Sequence, residues 1–207
     1  MSETALTRET ILDAAEEVLR RHGPSKANVV DVARALGVSH GSVYRHFESK
    51  AALRDAVAAR WLSKVSTSLA DIANAKEPAA RRLKAWFDRL IAMKHGRRRK
   101  EPEHFENYVS IAQESREVIA AHVAELTRQI AEIIRDGMAT GEFAKGDAVA
   151  LARSVFDATA RFHNPVHAAE WIDPRLEADF EGVWALLLRG LGHTGKAPER
   201  KGRRAAQ

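Results

Sequence analysis

The sequence has no cysteine among its 207 residues. That excludes disulfides, thiolate metal sites and any thiol redox sensor. No stretch approaches the ~20 apolar residues of a membrane helix. The opening residues, MSETALTRET, lack the basic start and apolar core of a signal peptide. The expectation is a cytoplasmic protein with no membrane partner. Alternating apolar and polar runs, the mark of half-buried strands, are also missing. So are the signatures of common catalytic sites: there is no His-Glu-x-x-His, no Gly-x-Ser-x-Gly and no phosphate-binding loop. The chain does not read as an enzyme, and a metal-dependent hydrolase built on its histidines is the remote alternative.

Charge is less informative than its total suggests. Of the formal +5, the tail from Lys196 to Gln207 carries +4, through Lys196, Arg200, Lys201, Arg203 and Arg204 against Glu199. The rest of the chain is close to neutral. Such a tail reads as a disordered, solvated end that can add nonspecific phosphate affinity. It is the sole support for a nonspecific nucleoid or RNA-binding protein.

What the sequence does have is helical periodicity nearly throughout, so the fold class is all-α. Most of the six prolines fall where helices start or stop. A first helix, Thr7 to His22, carries Ile11, Leu12, Ala15, Val18 and Leu19 on one face; Thr4, Thr7 and Arg8 near its start are phosphate candidates. A long helix begins near Lys50 and reaches the Ala73 region. Further helices run from Ala79 to about Gly96, Glu103 to about Gln113 and Ser115 to Thr140. The basic run Arg97 to Lys100 reads as a solvated loop or helix end, with a second DNA contact as the minority alternative. Asp147 caps an eighth helix whose course past Phe162 is disturbed by Pro165. A final helix after Asp173-Pro174 carries Leu176, Phe180, Val183, Trp184, Leu187, Leu188 and Leu191.

The informative stretch is Asn28 to Leu53, NVVDVARALGVSHGSVYRHFESKAAL. Asn28 is suited to cap a helix whose apolar face is Val29, Val30, Val32, Ala33 and Leu36. Gly37 ends it, because glycine accepts the left-handed conformation of a helix terminus. Ser39 then caps a short helix, His40 to Phe47, with Val43 and Phe47 one turn apart and facing inward. His40, Gly41, Ser42, Tyr44, Arg45 and His46 face largely outward. Small residues at the start of such a helix admit it to the major groove, where hydroxyls, imidazoles and a guanidinium reach bases and phosphates.

This stretch resembles the helix-turn-helix of the TetR family of bacterial transcriptional regulators. The resemblance rests on Asp31, Ala33, Gly37, Val38, Ser39, Gly41, Ser42, Tyr44, His46, Phe47, Lys50 and Leu53. Ala27-Asn28 stands where the family usually has a threonine pair. The resemblance implies DNA contacts from Asn28, Ser39, His40, Gly41, Ser42, Tyr44, Arg45, His46 and Lys50, the last against the DNA backbone. It implies nine helices, with a helix-turn-helix DNA-binding domain over 1–53, an effector-binding and dimerisation domain over 54–195, and the disordered basic tail over 196–207. It also implies a homodimer on a palindromic double-stranded operator, most simply a ligand-released repressor of nearby genes, with the last two helices pairing. Phe180, Trp184, Leu187 and Leu188 are the interface candidates; the alternative is that they are simply core, and helix faces shared between the two allow both.

A small-molecule effector held among the middle helices is a further implication. The candidate pocket walls are Trp86, Phe87, Phe105, Tyr108, Phe156 and Phe162, although aromatics at helical spacing are more often plain core. The histidines offer a metal-responsive alternative. His122 lies on the apolar stripe of its helix, and His163 and His167 are four residues apart. Neutral imidazoles so placed suit zinc, nickel or copper. Pro165, between the last two, threatens their register, and buried histidines satisfied by hydrogen bonds are the commoner case.

Overall fold

The structure, a computed structural model, describes residues 6–23 and 28–193. Thr4 and the tail over 196–207 therefore lie outside the described residues. Within them there is no strand, and no helix is long and apolar enough to cross a membrane. The α-helices are α1 (Arg8–His22), α2 (Val29–Leu36), α3 (His40–Tyr44), α4 (Lys50–Ala73), α5 (Ala79–Lys100), α6 (Pro102–Glu114), α7 (Arg116–Thr140), α8 (Ala148–Ala158), α9 (Ala160–His163) and α10 (Leu176–Gly190). A 3-10 helix, Pro165–Ile172, lies between α9 and α10.

The described helices thus outnumber the nine expected, and the reason is local. Thr159 is fully buried, and its hydroxyl donates back toward the carbonyls of Val155 (2.9 Å) and Phe156 (3.0 Å). This back-bonding accompanies a break after Ala158. Pro165 then cannot continue α9 and opens the 3-10 helix. The basic run Arg97 to Lys100 is the last turn of α5, where positive charge favours the helix's negative end.

Two compact units form. The described residues up to Thr67 group with Met93–Glu125; Ser68–Ala92 group with those from Leu126 onward. The long helices α4, α5 and α7 each contribute one end to each unit.

In the first unit α1, α2 and α3 close around Ile11, Leu12, Leu19, Val32, Val43 and Phe47, with Leu53 and Val57 of α4 and Ile111 of α6 completing the core. Arg60 of α4 ties back to α1 through Asp13 and through Glu16 at 3.1 Å. The second unit is built on Leu69, Leu83, Trp86, Phe87, Leu90, Ile130, Ile133 and Ile134, all buried. There the carboxylate of buried Glu142 accepts from the amides of Ala79 (3.0 Å) and Ala80 (3.1 Å), capping the positive end of α5. Gly137 is required for packing. A Cβ there would meet the Phe143 ring at 2.2 Å and the Ala79 Cβ at 2.9 Å.

Candidate functional site

The helix pair α2–α3 is set by its caps. The Asn28 side chain accepts from the Asp31 amide at 3.0 Å and so starts α2. Gly37 ends it at φ 67°, in the left-handed region. The Ser39 hydroxyl accepts from the Ser42 amide at 3.1 Å and starts α3. Val43 (0% exposed) and Phe47 (1%) anchor the segment in the core. That fixes which face is left out: Ser39, His40, Gly41, Tyr44 and Arg45 are exposed, Ser42 and His46 half-buried, and Lys50 is exposed at the start of α4. No acidic residue interrupts Ser39 to Phe47.

Several of these side chains position one another. Ser39 Oγ lies 2.9 Å from Ser42 Oγ, and Arg45 Nη2 donates to Ser42 Oγ at 3.2 Å. The two hydroxyls therefore orient the guanidinium at the end of α3. Arg8 does a job that sequence reasoning assigned differently. It donates to the His46 carbonyl at 2.9 Å and lies 4.2 Å over the Phe47 ring, pinning α1 to the segment after α3. Thr7 caps α1 in a reciprocal pair with Thr10. The third helix ends at Tyr44, one turn short of the expected Phe47.

Of the candidate effector residues, Phe105 and Tyr108 belong to the first unit, and Trp86, Phe87, Phe156 and Phe162 to the second. Trp86 and Phe87 are fully buried, and Trp86 Nε1 donates to Gln129 Oε1 at 3.0 Å. Phe156 packs on His163 with ring centroids 4.6 Å apart, and Phe162 on Phe180 at 5.1 Å. Trp86, Phe87 and Phe162 are core of their unit, and Phe156 is half-buried. A cavity of about 660 Å³ lies in the first unit, lined by Leu19, Lys50, Leu53, Arg54, Ser110 and Glu114 among others, and none of the six aromatics borders it.

No three His, Cys, Asp or Glu among the described residues are placed to hold a metal. The physical reason at His163 is its Nε2, which lies 3.3 Å from the Phe156 carbonyl. The same nitrogen lies 3.2 Å from the Thr159 hydroxyl, so it is engaged by the fold. His167, past Pro165 on the 3-10 helix, pairs with Glu170 at 2.8 Å. Among the described residues His122, His163 and His167 do not make up a three-ligand set.

The interface candidates differ in burial. Phe180 and Trp184 are each 5% exposed within the chain, with Trp184 packed on Phe87 at 5.9 Å. Leu187 and Leu188 are half-buried. The large apolar side chains left exposed in this unit are Val149 (59%), Val166 (73%), Ile172 (81%) and Leu186 (65%).

Sequence reasoning passed over a group in the first unit. Trp61 stacks on Tyr108 with centroids 4.9 Å apart and planes at 9°. Lys94 Nζ lies 5.2 Å from the Trp61 centroid, and the Arg97 guanidinium lies 5.4 Å from Trp61 and 5.6 Å from Tyr108. The signal was present, since Lys94 continues the buried stripe Leu83, Phe87, Leu90 at helical spacing. Burial, with a smaller push from Arg97, lowers the Lys94 pKa to about 8. Burial first, then the Lys94 charge, lowers that of His122 to about 4.

The His122 shift has a signed consequence. The folded chain holds this ring neutral while the unfolded chain protonates it near its ordinary value of 6.5, so stability falls as pH drops from 6.5 toward 4. The term is on the order of 3 kcal/mol. A His122→Phe variant is expected to lose correspondingly less stability than wild type across that window in denaturant titrations. Equal losses would contradict the assignment.

A helix-turn-helix held by its own caps, with an acid-free outward face, defines a DNA-binding regulator. Residues 11–57 match the family model for bacterial regulatory proteins of the tetR family, and residues 79–184 match that for the tetracyclin repressor-like C-terminal domain. The chain belongs to the TetR family of bacterial transcriptional regulators. An uncharacterized HTH-type transcriptional regulator of Mycobacterium tuberculosis is 36% identical over 81 residues, 39% of this chain and 40% of that protein. The chain thus spans about two fifths of the length of this curated relative. The HTH-type transcriptional repressor BepR of Brucella suis is 43% identical over 49 residues, 24% of this chain and 23% of BepR. Among solved structures, SmeT, the repressor of the Stenotrophomonas maltophilia multidrug efflux pump SmeDEF, superposes with a TM-score of 0.66 at 20% identity, covering 98% of this chain and 99% of SmeT. SmeT is also known in complex with triclosan. FadR of Bacillus subtilis, in complex with stearoyl-CoA, gives 0.61 at 19% identity, covering 89% of this chain and 99% of FadR. At these identities the structural likeness is one of fold.

Proposed function

We propose that the chain is a homodimeric repressor that reads a palindromic operator with α3 and is released by a small-molecule effector. The observation that carries the DNA reading is the outward face of α3. Ser39, His40, Gly41, Ser42, Tyr44, Arg45 and His46 lie over a core anchored by Val43 and Phe47, with Lys50 exposed at the next helix start. Arg45 is the base-reading candidate, Tyr44 and Lys50 the phosphate contacts, and Gly41 the point of close approach. Asn28 spends its side-chain oxygen on α2 and keeps its amide hydrogens for a phosphate.

Repression is supported by the name of BepR, and release by a small molecule by the ligands of SmeT and FadR. A ligand can release DNA only by binding the DNA-incompetent state better than the competent one. One short helix reads few base pairs, so a palindrome read by two copies, with half-sites about 34 Å or more apart, is the economical arrangement.

Exposed Val149, Val166, Ile172 and Leu186 support a dimer surface on the second unit, in place of Phe180 and Trp184. Leu186→Glu is expected to shift the protein from dimer to monomer in light scattering without loss of helix content, and to weaken operator binding with it. A variant that stays dimeric would remove Leu186 from the interface. The experiment for the DNA reading is selection of bound duplexes from a random library. A recovered palindrome supports it, and sequence-indifferent binding that vanishes with moderate salt contradicts it.

A further inference from the structure

The cavity of the first unit lies among α1, α4 and α6, and its volume of about 660 Å³ falls within the range of small-molecule sites. Its apolar lining is Leu19, Leu53, Val57 and Ile111, all of them buried core side chains. Its charged lining is Lys50 and Arg54 against Glu114, a surplus of one positive charge. Lys50 and Arg54 stand four residues apart on α4, so they are neighbours on one face of that helix. Arg54 gives one N–H to the Glu114 carboxylate and one to the Glu114 carbonyl, the latter at 3.4 Å. A guanidinium has five such donors, so its capacity is not exhausted. Asp55 Oδ1 stands off at 3.5 Å from Arg54 Nε and accepts instead from the Ser115 hydroxyl at 2.6 Å. Among the described residues no carboxylate pairs with the Lys50 ammonium, which is exposed at the edge of the cavity. An apolar cavity with a surplus cation at its edge is complementary to a molecule with an apolar body and one negative charge.

We propose that this cavity binds an amphiphilic carboxylate. Its chain covers Leu19, Leu53, Val57 and Ile111, and its headgroup accepts from Lys50 Nζ and the Arg54 guanidinium. The single surplus charge matches a monoanion, whereas a phosphate monoester brings nearly two charges beside Glu114. A cationic headgroup on the same chain meets Lys50 and Arg54 and is repelled, because Glu114 is already taken by Arg54. Lys50 is also the phosphate contact proposed above. The bound headgroup therefore takes its ammonium from the operator, and ligand and DNA compete at the head itself. The site stands on the cavity; only its effect on DNA rests on the operator reading.

The test uses octanoate on the full chain, with octyltrimethylammonium to reverse the charge and acetate to remove the chain. Octanoate is expected to bind wild type with a Kd of about 1 mM or below, the cation roughly 10-fold more weakly and acetate roughly 100-fold more weakly. Intermolecular NOEs are expected from the octanoate chain to the methyls of Leu53, Val57 and Ile111. The Lys50→Met, Arg54→Met double variant is expected to lose octanoate affinity roughly 10-fold while melting as wild type, because the Glu114 left behind is exposed to water. Lys50→Met alone changes only an exposed side chain and is expected to lose part of that affinity with its fold intact. The cation binding as well as octanoate, NOEs confined to other methyls, full affinity in the double variant, or no octanoate binding to wild type would each overturn the proposal. Operator affinity is measured in parallel. Octanoate that fills the cavity and leaves operator affinity unchanged keeps the site and contradicts competition through Lys50. Octanoate that releases the operator from the double variant as well as from wild type contradicts the site and leaves the regulator standing.

Discussion

Arg45→Ala is expected to weaken operator binding by roughly 10–100-fold per half-site, the cost of about 1–3 kcal/mol for a lost base contact. A symmetric dimer loses the contact twice, so the total approaches the square of that factor. Arg45 suits the role because it is exposed, closes α3 and is held toward one direction by the Ser39–Ser42 hydroxyl pair. Tyr44→Ala acts through a phosphate contact and packing, and its loss falls more evenly across sequences. Tyr44 is 44% exposed, so neither substitution should move the melting temperature much. Titrations of labelled duplex with each variant, alongside thermal melts, separate lost recognition from lost fold. Unchanged affinity in both variants would remove α3 as the reading helix.

Trp86→Ala carries the largest expected cost in stability, about 3–5 kcal/mol. The ring is fully buried, packs edge-on against Phe87 with centroids 4.9 Å apart, and donates to Gln129 at 3.0 Å. Truncation leaves a large cavity and removes that donor together. A residue lining an open pocket would behave otherwise, since its wall would already be solvated and a smaller side chain would cost little. Denaturant titration of the variant therefore decides between the two readings of Trp86 that its helical spacing alone left open. A loss below about 1 kcal/mol would restore it as a pocket wall.

Local chemistry was legible in the sequence wherever a single residue type dictates a conformation. Asn28, Ser39 and Asp147 each cap the helix expected of them, and Gly37 ends α2 in the left-handed region. Val43 and Phe47 gave the inward face of α3, and with it the outward one. What periodicity could not supply is the destination of a stripe. Phe180 and Trp184 suit an interface as well as a core by spacing, and their packing against Phe162 and Phe87 is visible only in the structure. Spacing along a helix could not say which partner each histidine ring would meet: Ser66 for His122, Thr159 for His163 and Glu170 for His167. Lys94 was hidden differently. It precedes four consecutive basic residues and reads as part of a solvated run, although its place in the stripe of Leu83, Phe87 and Leu90 marks it as buried.

The most direct test of recognition through α3 is to carry one selected duplex through a complete comparison. Wild type and the Tyr44→Ala, Arg45→Ala double variant are titrated against that duplex and against a scrambled one of equal length, at two salt concentrations. The expected result is a strong wild-type preference for the selected palindrome that survives the higher salt, and collapse of that preference in the double variant to nonspecific affinity. A double variant that still prefers the palindrome, or a wild type that does not, would contradict sequence reading by α3.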